Sequence, residues 1–420
     1  MSLDVRRPFA RLAAAACLIV SGLTLACCVP PKTTGLQQPP QVVRPAIVPP
    51  IAPTPVVQVP NVVPPPQVTP PPVVANTSGK VVVAMLLPLS GPSAAVGQAM
   101  LNAAQMALYD LADERLQLLT RDTQGTANGA SDAAQKAVAA GAQLILGPLL
   151  QAEVEAVKPI AQSARVPVIA FSTAAQLAGQ GVYLMGFLPG QEVDRVISYA
   201  HGHGHDRFAA LLPRTAYGQV IADAVQNAIT ANGATLVRTE FYDSSVNDMA
   251  SAVKRFAQQG VDFDALFMAE GGARLKVLAP QLPFFKIDQD KVKYLGPGLW
   301  DEPGLGTEPA LEGGWYAAPP PDARAAFEQH YSDLYKTKAP RLATLGYDAM
   351  ALAAVLARSP NGADFSDATL ASANGFAGLD GIFRFRGNGL VQRGLAVLEV
   401  HRAGGTVIDK GPATFQDLGY

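Results

Sequence analysis

The sequence predicts an α/β protein of two lobes, each with a mainly parallel sheet flanked by helices and with a cleft between the lobes. Three observations support this prediction. Continuous apolar runs such as residues 81–89 are typical of strands buried on both faces of a parallel sheet. These runs alternate with helical patterns across short connections that contain Gly and Pro. The alternation occurs twice, over residues 81–173 and again over residues 207–269.

The two series of elements define the two predicted lobes. Strands of lobe I are expected at 81–89, 116–122, 143–146 and 166–171, with helices at 95–112, 131–140 and 154–164. Strands of lobe II are expected at 207–212, 235–242, 265–269, 293–296 and 313–316, with helices at 219–232 and 249–259. Later helices at 323–337 and 345–357 return to lobe I, and 381–385 and 396–400 form a hairpin-like pair. Lobe I is thus expected to contain about residues 80–195 and 319–375, and lobe II about 196–318 and 376–420.

Residues 1–28 are expected to be a lipoprotein signal peptide. Basic residues within 6–11 precede the apolar stretch 12–25, which at about fourteen residues is shorter than the roughly twenty that a membrane span needs. The end of the segment is similar to a bacterial lipobox, in which small residues precede an acylated cysteine. Cys27 and Cys28 are both candidates for lipidation, and an uncleaved anchor with incidental cysteines is the alternative.

Residues 29–78 are expected to form a tether between the lipid anchor and the folded head. The stretch is mostly Pro, Val, Gln and Thr, and Pro-rich chains adopt extended polyproline II. At about 3.1 Å per residue, fifty residues reach roughly 150 Å, comparable to the depth of a bacterial periplasm. A passive spacer is the alternative interpretation. Because neither Cys28 nor Val29 is Asp, the residue that commonly retains lipoproteins at the inner membrane, we expect a periplasmic protein anchored to the outer membrane.

Composition excludes several classes of function. The cysteines at 17, 27 and 28 all lie in the targeting segment, so the head contains no disulfide. A net charge of −2 gives no electrostatic footprint for nucleic acid. The sequence has no Gly-x-Ser-x-Gly elbow, Walker loop or His-Glu-x-x-His motif, so we expect neither an enzyme nor a cofactor. Alternate histidines over 201–205 resemble a metal site, but no fourth ligand is evident, and we favour a solvated turn before the next strand.

Several segments of the head resemble the leucine/isoleucine/valine-binding proteins, which have the type I periplasmic-binding-protein fold. The resemblance covers essentially residues 80–405 and rests on 86–92, Asp122-Thr123-Gln124, 138–142, 145–148, 167–173 and Tyr217-Gly218. It implies two lobes that close around a small ligand. Within this fold, 147–150 with Val154, and 211–218, are similar to the C-terminal domain of outer-membrane lipoprotein activators of penicillin-binding proteins.

The resemblance also identifies candidate cleft residues at the carboxyl ends of strands. They are Ser90, Gly91, Leu149, Leu150, Gln151, Ser172, Thr173, Tyr217, Glu270 and Trp300. Ser172 and Thr173 occupy positions where the family has hydroxyl donors, although capping of the next helix is an equal alternative. Glu270 is either a cleft acid for a ligand amine or a polar loop residue.

Two departures from the family pattern weaken the expectation of an amino-acid site. Leu149-Leu150-Gln151 stands where the family usually offers Ser or Thr, and Gly298-Leu299-Trp300 stands where it often has Glu. Burying a charged ligand without partners costs several kcal/mol. We therefore expect a non-enzymatic regulator of peptidoglycan synthesis that contacts a penicillin-binding protein or another cell-wall synthase. The alternative is a receptor that passes an amino acid or similar solute to an ABC permease.

Overall fold

The computed structural model describes residues 79–111, 114–243, 245–302 and 304–418. The predicted signal peptide, the tether and both candidate lipidation sites, Cys27 and Cys28, lie outside these residues. No helix in the described ranges is long and apolar enough to cross a membrane.

Lobe I is built on a parallel sheet. In the described part of the chain its five strands have the order β2-β1-β3-β4-β5. They are β1 (Val81–Leu87), β2 (Leu116–Asp122), β3 (Leu144–Leu146), β4 (Val168–Ala170) and β5 (Val182–Leu184). Helices α2 (Ala127–Ala139) and α3 (Gln151–Ala164) cover one face, and α1 (Ala94–Leu111) covers the other together with the late helix α10 (Ala343–Ala357). Since β1 lies between β2 and β3, its continuous apolar run is buried on both faces.

Lobe II is built on a larger, mixed sheet. Among the described residues its seven strands have the order β15-β14-β10-β9-β8-β6-β7, of which β14 and β15 are antiparallel to their neighbours. The strands are β6 (Arg207–Pro213), β7 (Thr235–Tyr242), β8 (Ala265–Met268), β9 (Lys293–Gly296), β10 (Trp315–Ala318), β14 (Ala396–His401) and β15 (Gly404–Asp409). Helices α4 (Pro189–Gly202) and α5 (Ala216–Ala231) pack on one face. Helices α6 (Val246–Gln258), α7 (Gly272–Leu278) and α8 (Gln281–Phe284) lie on the other.

The remaining elements belong to lobe I. Helix α9 (Asp322–Tyr335) packs on α1 through Phe327 and Tyr331. Helix α11 (Asp367–Leu370) and the antiparallel strands β11 (Phe376–Gly378), β12 (Gly381–Phe385) and β13 (Val391–Arg393) follow. Phe383, Phe385 and Val391 pack in the same core as β1 and α10. The short connections 185–188, 319–321 and 394–395 therefore join the two lobes within the described residues.

The structure confirms the two-lobe α/β class and corrects two details. Residues 381–385 and 396–400 do not pair, because β12 pairs with β11 and β13, whereas β14 extends the sheet of lobe II beside β10. The lobe boundaries shift for the same reason. The apolar side chains of β12 fill the core of lobe I, so lobe II resumes at residue 396 rather than 376, and α4 places residues from 189 in lobe II.

The contact between α1 and α10 supplies a test of the packing. A Cβ added at Gly346 would lie 2.2 Å from the carbonyl oxygen of Met100, so Gly346→Ala forces the two helices apart. We expect a loss of about 1–3 kcal/mol in the free energy of unfolding, despite the better helix propensity of Ala. Urea unfolding of the head should show it. Gly202→Ala is the control, because its Cβ meets no atom within 4 Å; equal stability of the two variants would contradict the packing.

Candidate functional site: the cleft between the lobes and its hinge

The loops after β1 and β2 are tied to each other at the cleft edge of lobe I. The hydroxyl of Ser90 donates to Asp122 Oδ2 at 2.7 Å, and the backbone N–H of Leu89 donates to Asp122 Oδ1 at 2.9 Å. Partial burial raises the pKa of Asp122, but these bonds and that from the Gln124 amide outweigh it, so the pKa is lowered. Ser90 and the neighbouring Gly91 are exposed, and Gly91 has a φ of 80°. Ser90 thus orders a loop.

The loop after β3 presents apolar side chains. Leu149 is half-buried and packs against the core of lobe I. The backbone N–H of Leu150 donates to Glu153 Oε2 at 2.9 Å, and this buried carboxylate also accepts the hydroxyl of Thr123. Gln151 is exposed and donates to Glu155 on the next turn of α3. At the start of α3 the amide of Leu150 is therefore satisfied by Glu153, whereas the side chain of Leu150 provides no cap.

The two hydroxyls after β4 have different surroundings. Ser172 is buried, and its Oγ accepts the backbone N–H of Ala174 at 3.2 Å. This is a local turn of the type that Ser commonly forms. Ser172 therefore stabilises the turn and does not cap the short helix that follows, whose N-cap residue is Ala174. Thr173 is the exposed hydroxyl after this strand.

The predicted acid of lobe II is buried and bonded within its own lobe. Arg274 donates from Nη2 to Glu270 Oε1 at 2.7 Å and from Nε at 3.0 Å, and the hydroxyl of Tyr242 donates to the same oxygen at 3.1 Å. Tyr217 is half-buried at the start of α5. Burial, with the nearby charges of Glu192 and Glu270, raises the pKa of Tyr217.

The structure corrects the expectation for Trp300. Its side chain is only 1% exposed, and its indole N–H donates to the carbonyl oxygen of Glu270 at 3.0 Å. The ring packs so closely on Gly296 that a Cβ there would lie 2.1 Å away. Trp300 is therefore a core residue of lobe II. Its neighbour Leu299, 49% exposed, carries the surface of this turn.

Sequence reasoning missed a set of charged side chains where the two lobes meet. We name it the hinge cluster, and its members are Glu192, Asp301, Arg324, Arg341, Asp348, Asp380 and Arg393. Arg341 pairs through Nη2 with Asp380 Oδ1 at 2.8 Å and through Nε with Asp301 Oδ2 at 3.4 Å. Arg324 donates to both carboxylate oxygens of Asp301, from Nη2 at 3.1 Å. The pairs connect residues far apart in the chain.

Two guanidinium groups of the hinge cluster contact one aromatic ring. The Cζ atoms of Arg341 and Arg393 lie 4.3 and 4.8 Å from the centroid of the Phe187 ring. Arg393 is buried and donates from Nη2 to the carbonyl oxygen of Met185 at 2.6 Å. These cation–π contacts and hydrogen bonds fix the connection at 185–188.

Two buried carboxylates of the hinge cluster, Glu192 and Asp348, have a raised affinity for protons. Burial raises the pKa of Glu192 to about 7, against the bond it accepts from the Gly298 amide at 2.8 Å and the nearby arginines. Burial and the adjacent charge of Asp380 raise the pKa of Asp348. The seven groups are four carboxylates and three guanidiniums, so full ionisation leaves one negative charge in excess. One bound proton neutralises the cluster.

Only one member of the hinge cluster could have been identified from the sequence. Asp348 is the single charged residue in the otherwise apolar helix α10. A lone acid in a helix that is buried along most of its length requires a buried partner. The other members look like ordinary surface charges, because their partners come from distant segments.

The histidine-rich turn is occupied by local contacts. His201 Nδ1 lies 2.9 Å from Asp206 Oδ1, and the ring of His203 stacks on Tyr199 at a centroid distance of 3.9 Å. Across the residues with described positions, no group of three or more His, Cys, Asp or Glu side chains is arranged to hold a metal ion.

Two concavities on the surface lie away from the candidate residues. One of about 520 Å³ lies beside β4 and β5 and includes Pro167 and Phe365. Another of about 450 Å³ lies between α4 and α5 and includes Asp194 and Val220. The candidate ligand contacts therefore remain those of the cleft.

Fold and cleft together define a two-lobe binding protein. A sequence profile described as periplasmic binding protein matches residues 80–406, which is most of the chain, and the chain belongs to this family. The family has a ligand-binding fold and implies a periplasmic protein. The predicted resemblance to leucine/isoleucine/valine-binding proteins is confirmed at this level.

Solved structures and sequence relatives agree with this assignment. The leucine binding protein LivK of Thermotoga maritima is 21% identical, with a TM-score of 0.58 over 79% of this chain and 99% of that chain. An ABC transporter substrate-binding protein of Sphaerobacter thermophilus is 19% identical, with a TM-score of 0.67 over 80% and 98%. At such identities the likeness establishes the fold alone.

Two curated relatives match about half of this chain. An uncharacterized protein of Rickettsia prowazekii is 25% identical over 221 residues, which are 51% of this chain and 59% of that protein. The Leu/Ile/Val-binding protein BraC3 of Rhizobium johnstonii is 26% identical over 215 residues, 48% of this chain and 58% of that protein. The chain thus spans less than two thirds of the length of either relative.

The pKa of Glu192 predicts how stability depends on pH. The carboxyl binds its proton more tightly in the folded head, with a pKa of about 7 against 4.5 for the ordinary group. The contribution of this carboxyl to the free energy of unfolding is therefore complete below pH 4.5. It is lost as the pH rises through about 7, and the free energy of unfolding falls by at most about 1.4 kcal/mol per pH unit. Glu192→Gln removes this loss of stability. The melting temperature of the variant, relative to that of wild type, should therefore increase between pH 5 and pH 8.

A matched variant controls for a general effect of charge. Glu155→Gln removes an exposed carboxylate on α3 and should give a melting profile parallel to that of wild type. A parallel profile for Glu192→Gln as well would refute the assigned proton affinity.

Proposed function

We propose that this protein is a non-enzymatic lipoprotein that regulates peptidoglycan synthesis, with its head contacting a penicillin-binding protein. The observation that carries the proposal is that the acids of the cleft and hinge, Glu270 and Asp301, are bonded inside the protein. Glu270 is held by Arg274 and Tyr242, and Asp301 is held by Arg324 and Arg341. A receptor for a charged solute needs such groups available to the ligand.

The energetics of capture favour a docking role. An amino acid that used Glu270 for its ammonium group would have to replace the two bonds from Arg274. Hydrogen bonds to charged groups contribute about 1.5–3 kcal/mol each, while micromolar binding corresponds to about 8 kcal/mol in total. At the opposite lobe, Leu149 and Leu150 offer no hydroxyl for a carboxylate. A protein partner that covers the cleft edges has no such requirement.

The segments before the head support the same function. A lipid on Cys27 or Cys28 would hold the protein at the outer membrane, and two acyl chains give stable anchoring. The Pro-rich composition of residues 29–78 predicts an extended tether, and fifty residues in that conformation would reach roughly 150 Å. The head could then meet a synthase of the inner membrane. A receptor that delivers solutes to an inner-membrane permease has no need of this reach.

A solute receptor is the second candidate. Thr173 is exposed after β4 of lobe I, and Leu299 is exposed in lobe II. Solved structures of this fold include a solute-binding protein of Rhodopseudomonas palustris in complex with 3,4-dihydroxy benzoic acid. An apolar ligand with one carboxylate is therefore the solute class that the cleft would suit.

Thermal unfolding with candidate solutes separates the two functions. With 1 mM of each amino acid or small aromatic acid, we expect the melting temperature of the head to change by less than about 1 °C. A receptor with a dissociation constant of about 10 μM would gain about 2.7 kcal/mol under these conditions, which is a rise of several degrees. If one solute gives such a rise, the receptor function replaces the regulator.

Capture of synthases in cells tests the role of the tether. If residues 49–72 adopt polyproline II, they span about 74 Å, and a Gly/Ser segment of equal length would have a typical span of about 27 Å. Crosslinking between the anchored protein and penicillin-binding proteins should then fall several-fold. A scrambled segment of the same Pro-rich composition should retain it. Equal capture by both replacements would show that reach is not what the segment provides.

A further inference from the structure

Asp301 joins the two lobes. It belongs to lobe II, because it follows Trp300, which is embedded in that lobe's core. Both of its partners belong to lobe I. Arg324 lies in the first turn of α9, whose later turns pack on α1, and Arg341 lies just before α10.

The contacts of Asp301 are largely shielded from water. The side chains of Asp301 and Arg324 are 11% and 13% exposed, and that of Arg341 is 27% exposed. Away from bulk water an ion pair is screened little by salt, and removing one partner leaves a buried charge without compensation. Separating the lobes at this point would create the same situation.

The partners of Asp301 are themselves fixed by further bonds. Arg341 also pairs with Asp380 at 2.8 Å, and Asp380 accepts the hydroxyl of Thr344 at 2.7 Å. Arg324 also pairs with Glu328 at 3.3 Å. The contact is therefore made between groups that are already positioned, which lowers the entropy lost in forming it.

A second set of bonds fastens another connection between the lobes. Gln191, in the first turn of α4, donates its side-chain N–H to the carbonyl oxygen of Val391 and accepts the backbone N–H of Arg393 at 2.9 Å. Arg195 donates to the carbonyl oxygen of Leu395 at 3.0 Å. Two of the connections that would have to bend during opening are thus tied together.

We propose that Asp301, through its pairing with Arg324 and Arg341, locks the two lobes of the head at one angle. The head then presents a fixed surface across both lobes instead of opening and closing freely around a solute. The inference stands on the hinge geometry and does not depend on which partner the head contacts.

Distance measurements between spin labels test the lock. The native cysteines all precede residue 79, so labels can be placed on the head at Lys136 in lobe I and Lys254 in lobe II, both exposed. The lobes carry their own cores, which allows work on the fragment 79–420. We expect one narrow distance in the otherwise wild-type head. In Asp301→Asn we expect a second, different distance that accounts for at least about a tenth of the molecules.

Two further variants make the result decisive. Glu328→Gln removes the exposed partner of Arg324 and leaves Asp301 in place, so it should keep the single narrow distance. Arg324→Lys keeps the charge but loses the two-point contact, and it replaces Asp301→Asn if that variant does not fold. A broad distance in wild type, or an unchanged narrow one in the lock variants, would overturn the proposal.

Discussion

The pairing of Asp301 with Arg324 and Arg341 is the interaction on which the arrangement of the head depends. The described lobes are joined by three connections of two to four residues, 185–188, 319–321 and 394–395, which by themselves would permit large changes of angle. Charged groups removed from water need partners of opposite charge, and here those partners are supplied by the other lobe. The hinge cluster therefore makes each lobe part of the electrostatic environment of the other. The angle between the lobes in turn sets the shape of the cleft.

The same requirement determines the chemistry of the cleft. The predicted cleft acid Glu270 accepts bonds from the protein itself, and so do Glu192 and Asp301 of the hinge cluster. Carboxylates bonded in this way make the protein around them more rigid. They are also less accessible to a ligand, because a new partner must displace an existing one. The loops of lobe I show the same pattern on a smaller scale, since Ser90 is bound to Asp122 and the amide of Leu150 to Glu153. A cleft whose acids are satisfied in this way has fewer free partners for a charged ligand, which supports the proposed docking role.

The sequence was sufficient for most of the fold and for little of the site. Long apolar runs gave β1, and alternation with turns gave β7 and β9 with their observed bounds. The strands β5 and β11 were missed, because three residues carry too short a pattern to be distinguished from a loop. Of the candidate residues, Ser90, Leu149 and Thr173 lie in loops after strands, whereas Gln151 and Tyr217 lie in α3 and α5. The burial of Trp300 depends on the space beside Gly296, which no local pattern reveals. The hinge cluster spans residues 192–393, and no local pattern connects its members.

A fixed angle between the lobes bears on function through the free energy of the conformational change. A ligand shifts an equilibrium between open and closed forms only by its difference in affinity for them. If breaking the contacts of Asp301 is required for one form, a small solute with few bonds to make must supply that free energy as well as its own binding. For a protein partner the fixed angle is favourable, because a surface held in one shape loses less entropy on association. A lock of this kind therefore supports the proposed docking role over the capture of a solute.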